Sequence, residues 1–267
     1  MIWLKRILIG ALFIYLLICI AVYFAQRKLL YIPPQDYLSP AQVGLPDMAE
    51  LTLTPQTTSW WLPPNTPDKK TILFFHGNGS AVFSNHDIFA DLIAQGHGVL
   101  SVGYPGYPSK DGISKQGPSQ ARITAAAIAN YQFALDQNIA PETIVFFGTS
   151  LGSGAAAQLA AIHPPSLLII DAPFNSILEM AEDYMRWLPV KLLMKDRFDS
   201  GKALAGLDIP IIWTHGTADS IVPLSQGQKL FDGYDGPKTA HIIAGGQHTN
   251  LWGLGAREIV LEALGQP

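Results

Sequence analysis

Residues 143–162 read TIVFFGTSLGSGAAAQLAAI, a buried-strand pattern that leads through a turn of small residues into an Ala-rich helical pattern. The turn, GTSLG at 148–152, matches G-x-S-x-G, in which a strand turns sharply into a helix and exposes the serine hydroxyl. A turn that merely packs, with Ser150 as a helix cap, has the same composition. The strand before the turn and the helix after it favour Ser150 as a nucleophile.

Apolar runs alternate with longer helical patterns along the rest of the chain, which predicts parallel strands with helices on both faces of the sheet. Strands are predicted at 51–54, 59–62, 71–75, 99–104, 143–147, 167–170, 209–214 and 239–243, the first two being antiparallel. Helices are predicted at 82–95, 119–137, 152–162, 224–231 and 251–263. We therefore expect an α/β fold, in which sites lie at the carboxyl ends of the strands.

A serine hydroxyl needs a base that takes its proton. Of the seven histidines, His248 follows the last predicted strand and His215 ends the strand before it. The chain order Ser, Asp, His is one of several triad layouts, and it makes Asp219 the orienting acid and His248 the base. Asp171, which follows the sixth predicted strand, is the rival acid. His215 is then expected to shape the turn that carries Asp219.

A glycine-rich turn, HGNGS at 76–80, follows the third predicted strand. Such a turn lets backbone N–H groups point into a site. The N–H of Asn78, together with that of Leu151 after the nucleophile, would form an oxyanion hole. A phosphate-binding turn is the alternative, and it is weaker because no G-K-[ST] signature follows.

Five motifs, in this order, resemble the α/β-hydrolase superfamily. They are FHGNG at 75–79, GYPGY at 103–107, GTSLG at 148–152, HGTADSIVP at 215–223 and GQH at 246–248. More narrowly, the set is similar to single-pass, membrane-anchored α/β-hydrolase-domain proteins, relatives of monoacylglycerol lipases and protein depalmitoylases. The resemblance covers residues 45–265. It implies an α/β-hydrolase fold, with a mostly parallel eight-stranded sheet, and a serine hydrolase that uses Ser150, Asp219 and His248.

Two positions depart from this group. Thr149 stands before the serine, where arginine is common in the group. The predicted hairpin near 51–62 lacks the usual Asp-Gly turn. The first departure leaves the specificity open, and the second predicts a shortened edge of the sheet.

Composition excludes several classes of protein. Charged residues make up 14% of the chain, against roughly 25% in an average soluble protein, which excludes a coiled coil and a charged disordered chain. Four of the 17 basic residues fall in the first thirty positions, so the other 13 face all 21 acidic residues, a net charge of −8 that argues against nucleic-acid binding. The single cysteine, Cys19, excludes a disulfide framework and a Cys-based zinc site. We expect neither a metal nor a cofactor.

The segment from Ile7 to Ala25 contains 19 residues without a charge. A helix of this length, at ~1.5 Å per residue, spans about 28 Å, close to the thickness of the hydrocarbon core of a bilayer. Trp3 and Tyr23 lie near its ends, where aromatic rings prefer the membrane interface. A cleaved signal peptide is the alternative, but Tyr23 is too large for its place two residues before Ala25. We therefore expect an uncleaved membrane anchor.

The orientation of this anchor follows from its flanking charges. Lys5 and Arg6 favour a cytoplasmic N-terminus, whereas Arg27 and Lys28 oppose it. Because a short basic tail is easily retained inside, we expect the following domain outside the cytoplasm. The expected organisation is an anchor at 1–30, a proline-rich linker at 31–47 and one domain at 48–267.

Residues 177–207 occupy the usual place of a cap over the site, and these 31 residues suffice for two or three short helices. Most of their apolar side chains are expected to pack against the sheet. Alternatively, Met185, Trp187 and Met194 line an apolar acyl pocket, since flexible methionines adapt to varied chains. The substrate is then a small or lipid-like acyl compound, and the anchor holds the site near lipids.

The favoured function is hydrolysis of an ester or thioester through an acyl-enzyme, because all three triad residues and both oxyanion turns are present. An aminopeptidase-type amide hydrolase is the first alternative. It would need an acidic cluster for the substrate ammonium, and none stands out between 177 and 208. The second alternative is a membrane-tethered binding protein that keeps the fold and has lost catalysis.

Overall fold

Within residues 2–265, which the computed structural model describes, eight strands form one sheet. They are β1 (Ala49–Leu51), β2 (Ser59–Leu62), β3 (Thr71–Phe75), β4 (Gly98–Ser101), β5 (Ile144–Thr149), β6 (Leu167–Asp171), β7 (Ile211–Gly216) and β8 (Lys238–Ile243). Their order is β1-β2-β4-β3-β5-β6-β7-β8. β2 is antiparallel to both of its neighbours, and the other pairs are parallel. The predicted α/β sheet is therefore confirmed.

Nine α-helices accompany the sheet in the same part of the chain. They are α1 (Ile2–Leu30), α2 (His86–Ala94), α3 (Gln120–Asp136), α4 (Leu151–Ala160), α5 (Ile177–Tyr184), α6 (Val190–Leu193), α7 (Ser200–Leu204), α8 (Leu224–Asp232) and α9 (Ala256–Gly265). Each helix predicted between the strands has a counterpart among them.

Alternate residues of β3 belong to two separate apolar cores, one on each face of the sheet. Leu73 and Phe75 pack with residues of α3, α4 and α8, whereas Ile72 and Phe74 pack with residues of α2 and α9. All four side chains are fully buried. Because successive side chains of a strand point to opposite faces, helices cover the sheet on both sides.

The parallel register brings the carboxyl ends of several strands to one edge. Phe75 at the end of β3 pairs with Gly148 of β5. Asp171 at the end of β6 pairs with Thr149 of β5 on one side and with Thr214 of β7 on the other. The turns that follow these strands therefore meet at the edge where the fold places its sites.

The predicted cap contains the three short helices α5, α6 and α7, and part of it packs against α1. Cys19 of α1 forms a small buried cluster with Leu188 and Val190 of the cap. Arg27 makes a bidentate ion pair with Asp196, at 2.8 and 3.1 Å. The second half of α1 is thus attached to the cap. By length and composition α1 is also a candidate membrane span.

Most element boundaries differ from the predicted ones by a few residues, and two of these differences have a clear local cause. The first strand lies at Ala49–Leu51 and not at 51–54, because the chain turns where Thr57 donates its N–H and its hydroxyl to the carbonyl oxygen of Thr54. The last helix is preceded by a 3-10 turn, after which Gly255 takes a left-handed conformation with a φ of 116°. Glycine adopts this conformation without strain, and α9 starts behind it.

Candidate active site

Ser150 lies at the turn between β5 and α4 in a strained backbone conformation. Its φ and ψ are 51° and −119°, a combination that residues other than glycine rarely adopt. A Cβ atom on Gly152 would overlap the carbonyl oxygen of Phe75, and one on Gly148 would overlap the carbonyl oxygen of Gly152. Only glycine fits at these two positions, which explains the spacing of the G-x-S-x-G motif.

Three predicted residues lie within hydrogen-bond distance of one another beside this turn. The Oγ of Ser150 is 2.9 Å from Nε2 of His248, and Nδ1 of His248 is 2.8 Å from Oδ2 of Asp219. With the proton on Nδ1, His248 donates to the carboxylate and accepts from the serine hydroxyl. The Asp219 side chain is fully buried, and that of His248 is 12% exposed. This geometry suits transfer of the serine proton to the imidazole.

The second oxygen of Asp219 is held by the backbone. Oδ1 accepts hydrogen bonds from the N–H groups of Ile221 and Val222, each at 2.9 Å. Because both oxygens of the carboxylate have partners, the group is held in one orientation. The loop after β7 therefore aims Oδ2 at His248.

His215 lies at the end of β7 and is completely buried. Its Nδ1 accepts from the indole N–H of Trp213 at 3.2 Å, so Nε2 carries the proton and donates to the carbonyl oxygen of Val222 at 3.0 Å. Burial lowers the pKa of His215, which keeps the ring neutral. His215 thus braces the loop that carries Asp219.

The rival acid, Asp171, lies at the same edge of the sheet with a different partner. Its Oδ1 accepts from the hydroxyl of Thr214 at 2.6 Å. Its main-chain carbonyl oxygen accepts from the N–H of Ser150 at 2.9 Å. Burial raises the pKa of the Asp171 carboxyl to about 6. Asp171 therefore supports the turn at Ser150, whereas Asp219 bonds to His248.

The two predicted oxyanion donors belong to turns that flank Ser150. Leu151 is the first residue of α4, so its N–H has no acceptor within the helix. The other turn lies against Ser150, since a Cβ atom on Gly77 would be 3.6 Å from the Cβ of Ser150. Asn78 follows Gly77 directly. The joint action of the two N–H groups on an oxyanion stays a prediction.

Two tyrosines brace the second turn, a contact that the sequence analysis missed. The hydroxyl of Tyr104 donates to the carbonyl oxygen of His76 at 3.1 Å, and the two rings lie 3.9 Å apart between centroids. The hydroxyl of Tyr107 donates to Oδ1 of Asn78 at 2.9 Å. Burial lowers the pKa of His76 to about 4, so its ring is neutral at physiological pH. The sequence signal for this contact was the GYPGY motif at 103–107, which contains both tyrosines.

The three predicted pocket residues lie in the cap. Met185 follows α5 and is 40% exposed, and Trp187 is 60% exposed. Met194 follows α6 and is half-buried. The hydroxyl of Tyr15 in α1 donates to the carbonyl oxygen of Trp187 at 2.9 Å. These residues are thus placed near the contact between cap and α1, and an acyl pocket formed by them stays a prediction.

The polar atoms of the site are engaged with one another. Within residues 2–265, no group of three or more His, Cys, Asp or Glu side chains is arranged to hold a metal ion. Both ring nitrogens of His248 and both carboxylate oxygens of Asp219 contact protein atoms. The arrangement is that of a proton-transfer chain ending at a serine hydroxyl.

Comparison with known proteins gives distant relatives. No protein-family model matches the chain. An uncharacterised protein of Mycobacterium tuberculosis (strain ATCC 25618 / H37Rv) is 28% identical over 249 residues, which cover 91% of this chain and 87% of that protein. The lysophosphatidylserine lipase ABHD12 of Danio rerio is 30% identical over 181 residues, which cover 60% of this chain and 46% of the lipase.

Solved structures show the same architecture. An esterase from Pyrococcus furiosus superposes with a TM-score of 0.68 over 88% of this chain and 96% of the esterase, at 15% sequence identity. At this identity the likeness establishes the fold alone. The α/β-hydrolase fold expected from the five motifs is therefore confirmed.

Proposed function

We propose that this chain, which has the α/β-hydrolase fold, cleaves carboxylic esters or thioesters through an acyl-enzyme on Ser150. His248 is the general base and Asp219 is the orienting acid. The observation that carries this proposal is the continuous hydrogen-bonded chain from Ser150 Oγ through His248 to Asp219. A serine hydroxyl needs such a base to act as a nucleophile.

In the first half of the reaction, Ser150 Oγ attacks the carbonyl carbon and its proton passes to Nε2 of His248. The carbonyl oxygen becomes an oxyanion, which the N–H groups of Leu151 and Asn78 stabilise. The bond from the carbonyl carbon to the leaving oxygen or sulfur then breaks. His248 gives its proton to the leaving alcohol or thiol, and the acyl group remains on Ser150.

In the second half, a water molecule attacks the acyl carbon and gives a proton to His248. The second oxyanion collapses, the bond to Ser150 Oγ breaks, and the serine recovers its proton from the imidazole. Asp219 acts through His248: it keeps the proton on Nδ1, so Nε2 is free to accept, and it stabilises the imidazolium. These roles require the fixed carboxylate orientation that the backbone of Ile221 and Val222 supports.

The proposed substrates are lipid-like acyl compounds. A relative of this chain is named as a lysophosphatidylserine lipase, over a stretch that covers 60% of this chain. The candidate membrane span α1 contacts the cap, so it would hold the site near lipids. Met185, Trp187 and Met194 are proposed to line the acyl pocket, where each buried methylene adds ~0.8 kcal/mol.

The aminopeptidase alternative has less support. Such an enzyme needs unpaired carboxylates for the substrate ammonium. In the cap, Glu179 pairs with Lys229 at 2.9 Å and Glu182 pairs with Lys191 at 3.1 Å. The negative charges of Glu179 and Glu182 are therefore compensated by lysines of the same chain. The binding-protein alternative, in which catalysis is lost, has less support as well, because strained backbone such as that of Ser150 costs free energy and clusters at active sites.

Labelling with a fluorophosphonate, followed by a panel of esters, thioesters and aminoacyl amides, tests the proposal. Wild type should be labelled, and Ser150→Ala should not. His248→Ala should lose nearly as much turnover as Ser150→Ala, since triad members act as a unit. His241→Ala, in a strand away from the triad, is the matched control and should lose little. Labelling that survives Ser150→Ala, or equal losses in both histidine variants, would contradict the assignment.

A further inference from the structure

The end of α1 contacts the turn that carries Asn78. Leu30 is the last residue of α1, so its carbonyl oxygen lacks a donor within the helix. The Nδ2 of Asn78 supplies one, at 2.6 Å. In return, the N–H of Ile32 donates to Oδ1 of Asn78 at 3.2 Å. Both polar atoms of this side chain are therefore bonded to the backbone just at the end of α1.

A third hydrogen bond completes the environment of the side chain. The hydroxyl of Tyr107 donates to the same Oδ1 of Asn78 at 2.9 Å. Tyr107 is 1% exposed, so the donor of this bond is buried. With Nδ2 and Oδ1 both occupied, rotation of the carboxamide breaks at least one bond. The Asn78 side chain is thus held in one orientation by α1 and Tyr107 together.

The end of α1 is itself held firmly. Arg27 pairs with Asp196 at 2.8 and 3.1 Å, and the hydroxyl of Tyr31 donates to the same carboxylate at 3.2 Å. The Asp196 side chain is 4% exposed, and Tyr31 is 3% exposed. Arg27 is 41% exposed, but a bidentate bond to a buried carboxylate restricts both partners. The segment Leu30–Ile32 is therefore a fixed support for Asn78 and not a loose tether.

We propose that the C-terminal end of α1 positions the oxyanion hole, because the backbone of Leu30 and Ile32 holds the side chain of Asn78 and thereby sets the direction of its N–H. This inference rests on the proposed function. An oxyanion donor has to lie about 2.7–3.1 Å from the oxygen in the transition state and not in the ground state. A small rotation of this turn therefore lowers kcat and leaves KM nearly unchanged.

Two variants at one position separate this role from packing. Ile32→Pro removes the N–H that donates to Asn78, whereas Ile32→Ala keeps it. The side chain of Ile32 is 62% exposed, so its truncation costs little packing. Pro33 and Pro34 follow, so the chain is already extended in a way that proline tolerates.

The measurements use the full chain in detergent micelles. They are kcat and KM for p-nitrophenyl butyrate, and the inhibition constant of an aliphatic trifluoromethyl ketone. Ser150 Oγ adds to the ketone carbon, its proton passes to His248, and the ketone oxygen becomes an oxyanion that needs the same donors. We expect Ile32→Pro to lower kcat about tenfold, to change KM less than about twofold and to raise the inhibition constant of the ketone about tenfold. Ile32→Ala should match wild type in all three.

An unchanged kcat in Ile32→Pro, or equal losses in both Ile32 variants, would overturn the inference. If Ile32→Pro does not fold, Asn78→Ala takes its place, since it removes the side-chain bonds to Leu30 and Ile32 and keeps the backbone N–H. We expect it to lower kcat about tenfold without a change in KM, and an unchanged kcat would overturn the inference. A wild type inert towards both ester and fluorophosphonate contradicts the proposed function instead, so the two failures are distinguishable.

Discussion

His248 donates its Nδ1 proton to Asp219 across 2.8 Å, although a second acid, Asp171, ends β6, the strand beside β7. Asp171 is occupied by the hydroxyl of Thr214 at 2.6 Å. Two carboxyl groups thus share the edge of the sheet with different partners. Because their partners differ, replacing aspartate with asparagine should lower kcat strongly at position 219 and only slightly at position 171.

Asp219→Asn should lower kcat for a p-nitrophenyl ester by about 10⁴-fold, because an amide at this position favours the wrong tautomer of His248. Asp171→Asn should keep kcat within about threefold, because Thr214 can still donate to an amide oxygen there. Steady-state kinetics of the two variants, side by side, decide between the acids. A large loss in Asp171→Asn with little loss in Asp219→Asn would exchange their roles.

Asp171 should also make the protein less stable as the pH rises. Its pKa is raised by burial from 3.8 to about 6, so between these values the folded state binds more protons than the unfolded state. Stability is then lost from about pH 4 to 6. We expect Asp171→Asn to raise the free energy of unfolding by about 1–2 kcal/mol at pH 8, after allowance for partial solvent access, and by little at pH 4.

Urea unfolding of both proteins at the two pH values checks this expectation. Asp235→Asn, which changes an exposed carboxylate, is the control and should show no such difference between pH 4 and pH 8. A stabilisation by Asp171→Asn that is equal at both pH values would mean that ionisation of the group is not its source.

The proposed pocket predicts a preference for longer acyl chains. Specificity constants for p-nitrophenyl esters should rise from acetyl to about octanoyl, since each buried methylene contributes ~0.8 kcal/mol. Trp187→Ala should flatten this rise and leave the acetyl ester nearly unaffected. Flat or falling values in wild type, or faster cleavage of aminoacyl amides, would favour the aminopeptidase alternative.

The membrane orientation has its own test. We expect the chain to remain membrane-bound through Ile7–Ala25, with the hydrolase domain outside the cytoplasm. Protease added to right-side-out vesicles should then degrade the domain. A domain that resists protease until the membrane is opened has the other orientation. A mature protein that starts after residue 20 would contradict the anchor itself.

The features that could be predicted from sequence are those set by local physics. The strand, turn and helix around Ser150 are encoded within twenty consecutive residues, and the glycines are forced by close backbone approach. The alternation of β3 side chains between the two faces of the sheet, and the chain order of Ser150, Asp219 and His248, can also be recognised in the sequence. The eight strands and their mostly parallel arrangement follow from such patterns.

The features that could not be predicted depend on contacts between distant parts of the chain. Asn78 and Leu30 are 48 positions apart, and Arg27 and Asp196 are 169 apart, so no local pattern links them. The sequence of the N-terminal segment predicts only a membrane anchor, because its long apolar run gives no sign of the polar contacts that Arg27 and Leu30 make at its end. The boundary of the first strand was misplaced since a turn bonded through Thr57 ends it early.

Capture of the acyl-enzyme tests the central claim most directly. Wild type is mixed with p-nitrophenyl butyrate, quenched in acid within the first turnover and digested, and the peptides are read by mass spectrometry. We expect one butyryl group on the peptide that contains Ser150, and none in Ser150→Ala. Turnover of the ester by Ser150→Ala at the wild-type rate, or a butyryl group on another residue, would contradict nucleophilic catalysis by Ser150.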